Sequence, residues 1–226
     1  LRDGRKVATE PADSLEVEDM VTLMLERGMK ARAANRAHPP AQASPVLSVT
    51  DWRVGIVAVP SFSLCPGEVV GLIGLTSAGH FGFARSLFSG AGYTAGEMRL
   101  GAEQIKKPAP RRMQRLGMGF IPDHRMQNSL IADGTILENL SVVHPEAGTR
   151  GVFLSPAREH AEALRVMAEL KVRANGNAQT VKTLSGGNKQ KVSLGKWLYG
   201  ARDRYRVMIF IEPTEGVDIG AKQEIY

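Results

Sequence analysis

Residues 184–190 read LSGGNKQ, and this segment constrains the fold more than any other part of the chain. A serine and two glycines that open a helix present a hydroxyl and backbone N–H groups to a phosphate, and the helix dipole favours negative charge there. An ordinary Ser-Gly-Gly turn would look the same over these residues. It would not be followed by a strand-length apolar run at 207–211 that ends in Glu212, with TEGVD at residues 214–218. The two segments together predict a phosphate-binding site.

A glycine-rich loop follows a predicted strand at residues 68–73. Gly74 and Gly79 have the spacing of the phosphate-binding pattern G-x-x-x-x-G-K-S/T, in which the lysine reaches the terminal phosphates and the hydroxyl binds magnesium. His80 and Phe81 stand at the last two positions of this pattern, so the fixed cation and the magnesium ligand are both absent. The glycines are equally consistent with a tight strand-to-helix turn. A protonated His80 would recover part of the charge, although a solvent-facing loop residue is the simpler interpretation.

Apolar periodicity along the rest of the chain alternates between strand and helix. Thr135 and Glu138 form a predicted capping box at the start of one helix, and Ser155 with Pro156 opens a longer one. The other predicted elements are a helix at 81–88, a strand at 117–121, an apolar core stripe of Leu164, Met167 and Leu170 on the longer helix, and a parallel strand at 207–211. This alternation predicts an α/β fold with a parallel sheet.

Composition divides the chain into three parts. Residues 1–30 contain a helical pattern of apolar residues that ends at Gly28, and residues 31–45 turn to Ala, Pro, Asn and His without periodicity. The second stretch is predicted to be a linker. Residues 46–226 carry the motifs described above and are predicted to form one domain. Because the chain begins with Leu1 and shows no signal segment, it is expected to be part of a longer protein.

Charge and cysteine content narrow the partners and the compartment. The formal net charge is +6, from 29 Lys and Arg against 23 Asp and Glu, which suits nucleotide phosphates or an anionic surface. Nucleic acid is disfavoured because no aromatic residues are interleaved with the basic ones for base stacking. Cys65 is the single cysteine, so an intramolecular disulfide is excluded and a reducing cytoplasmic setting is expected. No apolar run approaches the roughly 18 residues of a membrane-spanning helix.

The segments at 184–190 and 212–226 resemble the signature and Walker B regions of ABC ATPases, and their amino-acid sequences are similar to those of the sugar-importer branch. In that branch two nucleotide-binding halves are fused, and the second has a glycine loop without its lysine, as GLTSAGHF at 74–81 does. The resemblance implies a P-loop NTPase-like ABC nucleotide-binding domain with a parallel core sheet, an antiparallel β part and a helical subdomain that carries the signature. It also implies that residues 1–30 are the tail of a first half and residues 46–226 a C-terminally truncated second half.

Nucleotide binding is implied for two sets of residues. The signature would close over the γ-phosphate of ATP held on the first half's intact loop, and the degenerate loop would bind ATP at the second half's own site. Mg2+ would accompany ATP mainly at the partner half's site. The implied ATP-binding positions are Ser185, Gly186, Gly187 and Gln190 in the signature and Gly74, Gly79 and His80 in the loop.

Acidic residues receive the remaining roles that the resemblance implies. Glu212 would be the catalytic residue that polarises the attacking water. Asp218 would belong to the loop that crosses the dimer interface, and Asp123, in the segment IPDHR, would contact the permease. The family's magnesium-associated aspartate is here Ile211, an apolar residue that cannot hold a hydrated cation. Together with the changes after Gly79, this argues against hydrolysis at the half's own site, and no metal ligand is assigned.

The implied function is the ATP-binding component of an ABC importer for sugars or similar small solutes, which contributes the signature to a composite ATP hydrolysis site. Its partners would be the first nucleotide-binding half, transmembrane permease subunits and an extracytoplasmic solute-binding protein, at the cytoplasmic face of the bacterial plasma membrane. This chain alone would be inactive. The alternative is a non-catalytic regulatory module whose degenerate loop holds nucleotide weakly. A soluble ABC protein of DNA repair or translation is disfavoured, because the sequence around the signature resembles that of sugar importers and contains no nucleic-acid motif.

Overall fold

The computed structural model of the chain describes residues 6–24, 44–200 and 204–215. The chain divides into two compact units, Leu1–His38 and Pro39–Tyr226, and the division falls inside the predicted linker. In the first unit, helix α1 spans Val17–Met24 and confirms the predicted helix. The predicted end at Gly28 and residues 31–43 of the linker lie outside the described residues. That the first unit is the tail of another domain stays a prediction.

The second unit combines strands and helices in the order expected of an α/β protein. Its described strands are β1 Leu47–Val54, β2 Val57–Leu64, β3 Tyr93–Leu100, β4 Glu103–Ile105, β5 Met118–Ile121, β6 Thr149–Arg150, β7 Phe153–Leu154 and β8 Val207–Phe210. Its described helices are α2 His80–Ser89, α3 Pro110–Arg115, α4 Arg125–Asn128, α5 Ile136–Ser141, α6 Pro156–Glu169 and α7 Gly186–Leu198. No helix in the described part of the chain is long and apolar enough to cross a membrane.

An antiparallel sheet opens the second unit, with the strand order β2-β1-β3-β4. Along β1 the apolar side chains alternate inward until Asp51, which has a positive φ of 49°. The register between β1 and β3 shifts at this point, so that Trp52 also faces the core. A Cβ on Gly96 of β3 would lie 2.6 Å from the Trp52 Cα, so the close approach requires glycine. This sheet is the antiparallel part that the family resemblance implies.

A parallel pair of strands, β5 and β8, forms the second sheet, with Met118 opposite Val207 and Ile121 opposite Phe210. Both strands confirm the sequence prediction, and the Ile211 N–H extends the ladder by donating to the Ile121 carbonyl at 2.9 Å. Val207 is buried, whereas Phe210 at the other end of β8 is 46% exposed, so β8 is not covered on both faces along its whole length.

The strand predicted at residues 68–73 is wrong, because these residues have no ladder partner in the described part of the chain. Residues 68–73 are instead irregular, and the side chains of Val69, Leu72 and Ile73 face solvent, with Ile73 96% exposed. An extended segment forms a stable strand only when a neighbour accepts and donates its backbone hydrogen bonds. The predicted α/β fold therefore stands, with a described parallel sheet of two strands.

The two sheets share one hydrophobic core with α2 and α3. Helix α2 contacts both β1 and β5, and it confirms the helix predicted at 81–88. Inside this core the Trp52 indole N–H donates to the Ser86 hydroxyl at 2.8 Å, which satisfies a buried polar group. The fully buried apolar side chains of the core include Leu47, Trp52, Met98, Leu100, Ile105, Met113, Met118 and Ile121.

A helical subdomain follows, built from α4 to α7 around a second core. Thr135 and Glu138 form the predicted capping box of α5, with each side chain bonded to the other's backbone N–H. Ser155 occupies the N-cap position of α6 without a side-chain cap hydrogen bond. The buried apolar residues of this core are Leu130, Ile136, Leu140, Ala163, Val166, Met167, Val181, Leu184, Val192 and Tyr199.

The predicted core stripe on α6 is wrong at Leu164, which is 42% exposed. Ala163, Val166 and Met167 are buried instead, and Leu170 packs against them. These positions recur at the three- and four-residue spacing of one helix face, whereas Leu164 is turned about 100° away from Ala163.

Candidate nucleotide site

The signature segment forms a capped helix N-terminus. Ser185 is the N-cap of α7 in an extended conformation, and its exposed hydroxyl accepts from the Asn188 side-chain amide at 2.9 Å and from its backbone N–H at 3.5 Å. Asn188 in turn accepts from the Arg173 backbone N–H at 2.8 Å. Gly186 and Gly187 are the first two helical residues, where backbone N–H groups have no intrahelical partner. The serine hydroxyl and these N–H groups together suit a phosphate oxygen.

Farther along α7, Gln190 is 3% exposed, on the inward face of the helix. Neighbouring Lys191 is also buried, and its ammonium donates to the Lys171 carbonyl at 2.9 Å. Lys196 lies near the helix end, where its ammonium donates to the Ser129 carbonyl at 2.6 Å and burial lowers its pKa to about 8. Gln190 is therefore buried beside residues that anchor the helix, whereas the Ser185 hydroxyl is exposed, and ATP contact by Gln190 stays a prediction.

The glycine loop leads into α2 through a left-handed backbone conformation at Gly79. Gly79 has a φ of +76°, and an added Cβ would lie 2.2 Å from the Val57 side chain, so only glycine fits there. His80 is half-buried, and its ring lies 4.1 Å from that of Phe81. A Cβ on Gly74 would approach the His80 Nδ1 to 3.1 Å. The interpretation of His80 as a solvent-facing loop residue is therefore wrong, because the ring folds back over the loop.

The His80 Nδ1 atom is buried and has no hydrogen-bond partner among the described residues. A buried nitrogen left without a partner costs free energy, and a phosphate oxygen would satisfy it. The loop therefore carries one buried and unsatisfied nitrogen beside Gly74, and phosphate binding at this atom stays a prediction. Magnesium fits less well, since Phe81 offers no oxygen and Ile211 is 2% exposed at the position of the family's aspartate. The described residues also contain no group of three or more His, Cys, Asp or Glu side chains that could hold a metal.

The acidic segment after β8 contains two glutamates with different surroundings. Glu212 is exposed and has a positive φ of 45°, and its carbonyl accepts from the Glu215 N–H at 3.0 Å. The Glu215 carboxylate accepts from the His124 backbone N–H at 3.2 Å, and the Arg125 guanidinium donates to the Glu215 carbonyl at 2.5 Å. Glu215 was not singled out from the sequence. The available signal was its position in the segment TEGVD, close to the predicted catalytic residue Glu212.

Asp123 is only 6% exposed and faces the interior of the second unit. Its Oδ2 lies 2.5 Å from the Arg85 guanidinium of α2 and 3.7 Å from the His124 ring, while Oδ1 has no hydrogen-bond partner among the described residues. Asn128 donates to the Asp123 carbonyl at 3.1 Å. Direct permease contact by the carboxylate stays a prediction, and in this structure the carboxylate holds Arg85. Asp218 lies outside the described residues.

Two contacts join three of these segments. The Asp123–Arg85 ion pair connects the loop helix α2 to the segment after β5, and Glu215 connects that segment to the end of β8. Beside them lies a cavity of about 490 Å3, lined by Arg85, Phe88, Phe120, Pro122, Asn128, Lys196 and Trp197. Within the described ranges, no hydrogen bond or ion pair joins the Ser185–Gly187 turn to the glycine loop.

A glycine loop that opens a helix, a capped LSGG helix in a helical subdomain and an acidic segment after a core strand define an ATP-binding cassette. The family model described as "ABC transporter" matches residues 57–215, and the chain belongs to this family.

Curated relatives and solved structures agree with this assignment. The chain is 36% identical over 227 residues to the ribose import ATP-binding protein RbsA 1 of Streptomyces avermitilis, covering 100% of this chain and 42% of the relative. It is 37% identical to RbsA 2 of Rubrobacter xylanophilus, covering 100% of this chain and 43% of that relative. The chain thus spans less than half the length of these relatives.

Among solved structures, the ADP conformation of MJ1267, an ATP-binding cassette of an ABC transporter, superposes with a TM-score of 0.63 at 18% identity. The match covers 81% of this chain and 74% of that one. A post-hydrolysis dimer of the ATP-binding cassette MJ0796 with ADP and phosphate gives a TM-score of 0.61 at 18% identity, covering 79% of each chain. At this identity the likeness shows the fold alone.

Proposed function

We propose that this chain is the ATP-binding component of an ABC importer for a sugar or similar small solute, and that it contributes the signature to a composite ATP hydrolysis site. The observation that carries the proposal is the exposed Ser185 hydroxyl at the capped N-terminus of α7. The relatives that match the whole chain are named as ribose import proteins, which favours a sugar as the transported solute.

The chain's own side of the site supports a division of labour between two nucleotide-binding halves. His80, Phe81 and Ile211 stand where a fixed cation and two magnesium-associated oxygens would be needed. Loss of one group that stabilises developing charge lowers a rate by roughly 10²–10³, so hydrolysis at this half is strongly disfavoured. We therefore assign the chemical step to the first half's site, closed by this chain's signature.

ATP and Mg2+, when bound, would supply the scissile phosphoanhydride and the Lewis acid. Ser185 would donate its hydroxyl hydrogen to a γ-phosphate oxygen, while its oxygen keeps the hydrogen bond from Asn188. The free N–H groups of Gly186 and Gly187 would hold the same phosphate and orient it. Glu212 would hold a water at this half's own site, and His80 Nδ1 would bind a phosphate there without a fixed positive charge.

Partner contacts follow from the cavity beside α2. Asp123 fixes Arg85 at the cavity wall through the 2.5 Å ion pair, and Asn128 is held there by the Asp123 carbonyl. We infer that a cytoplasmic segment of a transmembrane permease enters this cavity and that Asp123 acts through Arg85. The transporter would also use an extracytoplasmic solute-binding protein and a first nucleotide-binding half, whose tail would be residues 1–30.

The alternative is a non-catalytic regulatory module. The unpartnered His80 Nδ1 favours this alternative, because the loop could hold a nucleotide phosphate there. The loop lacks the groups that hydrolysis needs. In that case the signature would close no active site, and nucleotide would only change the shape of the chain.

The two functions differ in ATP turnover by this chain, by a separately produced first half, and by their mixture. The composite site predicts activity in the mixture that Ser185→Arg abolishes. Ser155→Arg is the matched control, because Ser155 also caps a helix but makes no side-chain cap hydrogen bond. Turnover that Ser185→Arg leaves intact would refute the composite site. Absence of turnover in the mixture, with nucleotide still bound by this chain, would favour the regulatory module.

A further inference from the structure

A second cleft, of about 540 Å3, lies between α3, the segment after α5 and the residues before β8. We call it the arginine cleft. Its polar lining consists of Arg111, Gln114, Arg115, His144, Glu146 and Arg204. These residues belong neither to the glycine loop, nor to the signature, nor to the acidic segment after β8, so the cleft is separate from the candidate nucleotide site.

The inner end of the arginine cleft is organised around a buried histidine. Burial lowers the pKa of His144, although the nearby Glu146 carboxylate opposes the change, so the imidazole is neutral at pH 7. Arg204 lies 2.6 Å from the His144 Nδ1 and 2.7 Å from the Glu146 carboxylate, while the His144 Nε2 contacts the Tyr205 hydroxyl. A neutral imidazole that accepts from Arg204 leaves Nε2 protonated to donate to Tyr205. Arg204 is thereby fixed in place.

The outer end of the cleft carries two arginines whose charges are not paired with an acidic side chain in the described part of the chain. Arg111 and Arg115 are exposed and lie four residues apart on α3, on one face of the helix. Within the described residues, neither makes a hydrogen bond or an ion pair. Gln114 lies between them and donates to the Val143 carbonyl at 2.8 Å, which fixes α3 against the segment after α5. Among the described residues that line the cleft, three guanidinium groups therefore accompany one carboxylate.

We propose that the arginine cleft binds a phosphate-bearing anion, with Arg111 and Arg115 as its main contacts and Arg204 at the inner end. Guanidinium groups present paired N–H donors that match the oxygens of a phosphate, and two of them on one helix face can hold two phosphate oxygens or two phosphate groups. The described lining has no Phe, Tyr or Trp side chain for base stacking, and His144 is buried at the inner end, so the anion is recognised by its phosphate. The source is either a soluble phosphate compound or a phospholipid headgroup.

Two probes distinguish these sources. Pyrophosphate, titrated calorimetrically into the chain, reports a soluble ligand. Co-sedimentation with phosphatidylglycerol vesicles, compared with phosphatidylcholine vesicles, reports a headgroup. The test variant is Arg111→Gln with Arg115→Gln. The matched control is Arg99→Gln with Arg112→Gln, which removes the same charge from two exposed arginines outside the cleft, one of them on the same helix.

The expected result is a loss of affinity of about tenfold or more in the test variant and less than about threefold in the control, for one of the two probes. Binding of that probe should also weaken as salt rises. Equal losses in the two variants, or no binding of either probe by the unsubstituted chain, would overturn the proposal. If the double variant does not fold, Arg111→Gln alone against Arg112→Gln alone makes the same comparison with half the charge change.

Discussion

Two helices of this chain begin at glycine-rich segments, and they are built differently. The N-terminus of α7 is capped by a side chain, because the Ser185 hydroxyl accepts from Asn188 and Asn188 accepts from the Arg173 N–H. The N-terminus of α2 follows Gly79, whose left-handed backbone is fixed by contact with Val57, and no side chain caps it. The first segment has a capping side chain that would touch a phosphate, whereas the second lacks the lysine and the hydroxyl of the phosphate-binding pattern.

Under the proposed function, the glycine loop has lost the lysine and hydroxyl of the phosphate-binding pattern while the spacing of its glycines remains. The geometry of the glycine loop depends on the small volume at Gly79, which the neighbouring strand β2 enforces. The chemistry depends on the next two side chains, which the packing of β2 does not constrain. A loop of this kind can still support binding and the fold while hydrolysis takes place at a partner's site.

The largest expected effect is on the rate of ATP hydrolysis, and it tests the N-terminus of α7 against this chain's own nucleotide site. In an ATPase that contains this chain and a first half, Ser185→Arg should lower ATP turnover by about 100-fold or more, because under the proposed function Ser185 contacts the phosphate in the transition state. Glu212→Gln in this chain should cost less than about threefold, because its own site lacks the fixed cation. Steady-state phosphate release measures both. A comparable loss in the two variants would place hydrolysis at this chain's own site as well.

The next effect is on stability. Gly79→Ala should lower the free energy of unfolding by about 1–3 kcal/mol, because alanine is strained at a φ of +76° and its Cβ would overlap the Val57 side chain. Gly82→Ala is the control on the same helix, where an added Cβ meets nothing within 4 Å. Alanine there should be neutral or stabilising by up to about 1 kcal/mol. Urea denaturation measures both, and equal effects would mean that packing does not enforce the loop shape.

The sequence predicted most of what depends on local rules. The Thr135 capping box, the helix at 81–88 and the strands at 117–121 and 207–211 are confirmed, because cap chemistry and apolar periodicity act within a few residues. The family and the cassette fold also followed from the motifs at 74–81, 184–190 and 212–218. These features need no knowledge of distant contacts.

Features that depend on neighbours in space could not be predicted in the same way. The apolar run at 68–73 looks like a strand, but a strand also requires a pairing partner, and the described sheet supplies none. Leu164 fits an apolar stripe until its exact helical phase is known. The burial of Asp123 against Arg85, 38 residues away along the chain, is likewise invisible to a motif. The roles of the predicted site residues stay predictions.

A pH titration tests how the signature helix is anchored. Burial lowers the pKa of Lys196 to about 8, so the folded chain releases this proton near pH 8. The unfolded chain retains the same proton up to a pH of about 10.4. The unfolded state then binds more protons, so stability should rise between about pH 8 and pH 9.5, by about 1–2 kcal/mol. Tyr199 and Tyr205, whose pKa values burial raises to about 12, act in the opposite direction only above about pH 10. Lys196→Met should remove the rise, and a rise that persists in this variant would assign it to another group.

The smallest effect is expected at the residue that replaced the lysine of the glycine loop. His80→Ala should weaken binding of an ATP analogue to this chain by about threefold or less, because a neutral imidazole contributes one hydrogen bond and no fixed charge. It should leave turnover of the complete ATPase unchanged, since the proposed function assigns the chemical step to the other half. His80→Lys is the informative partner variant: the Gly79 backbone already has the required shape, so a cation there should tighten binding by more than the alanine variant loosens it. If both variants bind the analogue equally, the Nδ1 of His80 faces no phosphate. The N-termini of α2 and α7 would then differ in nucleotide binding as well as in hydrolysis.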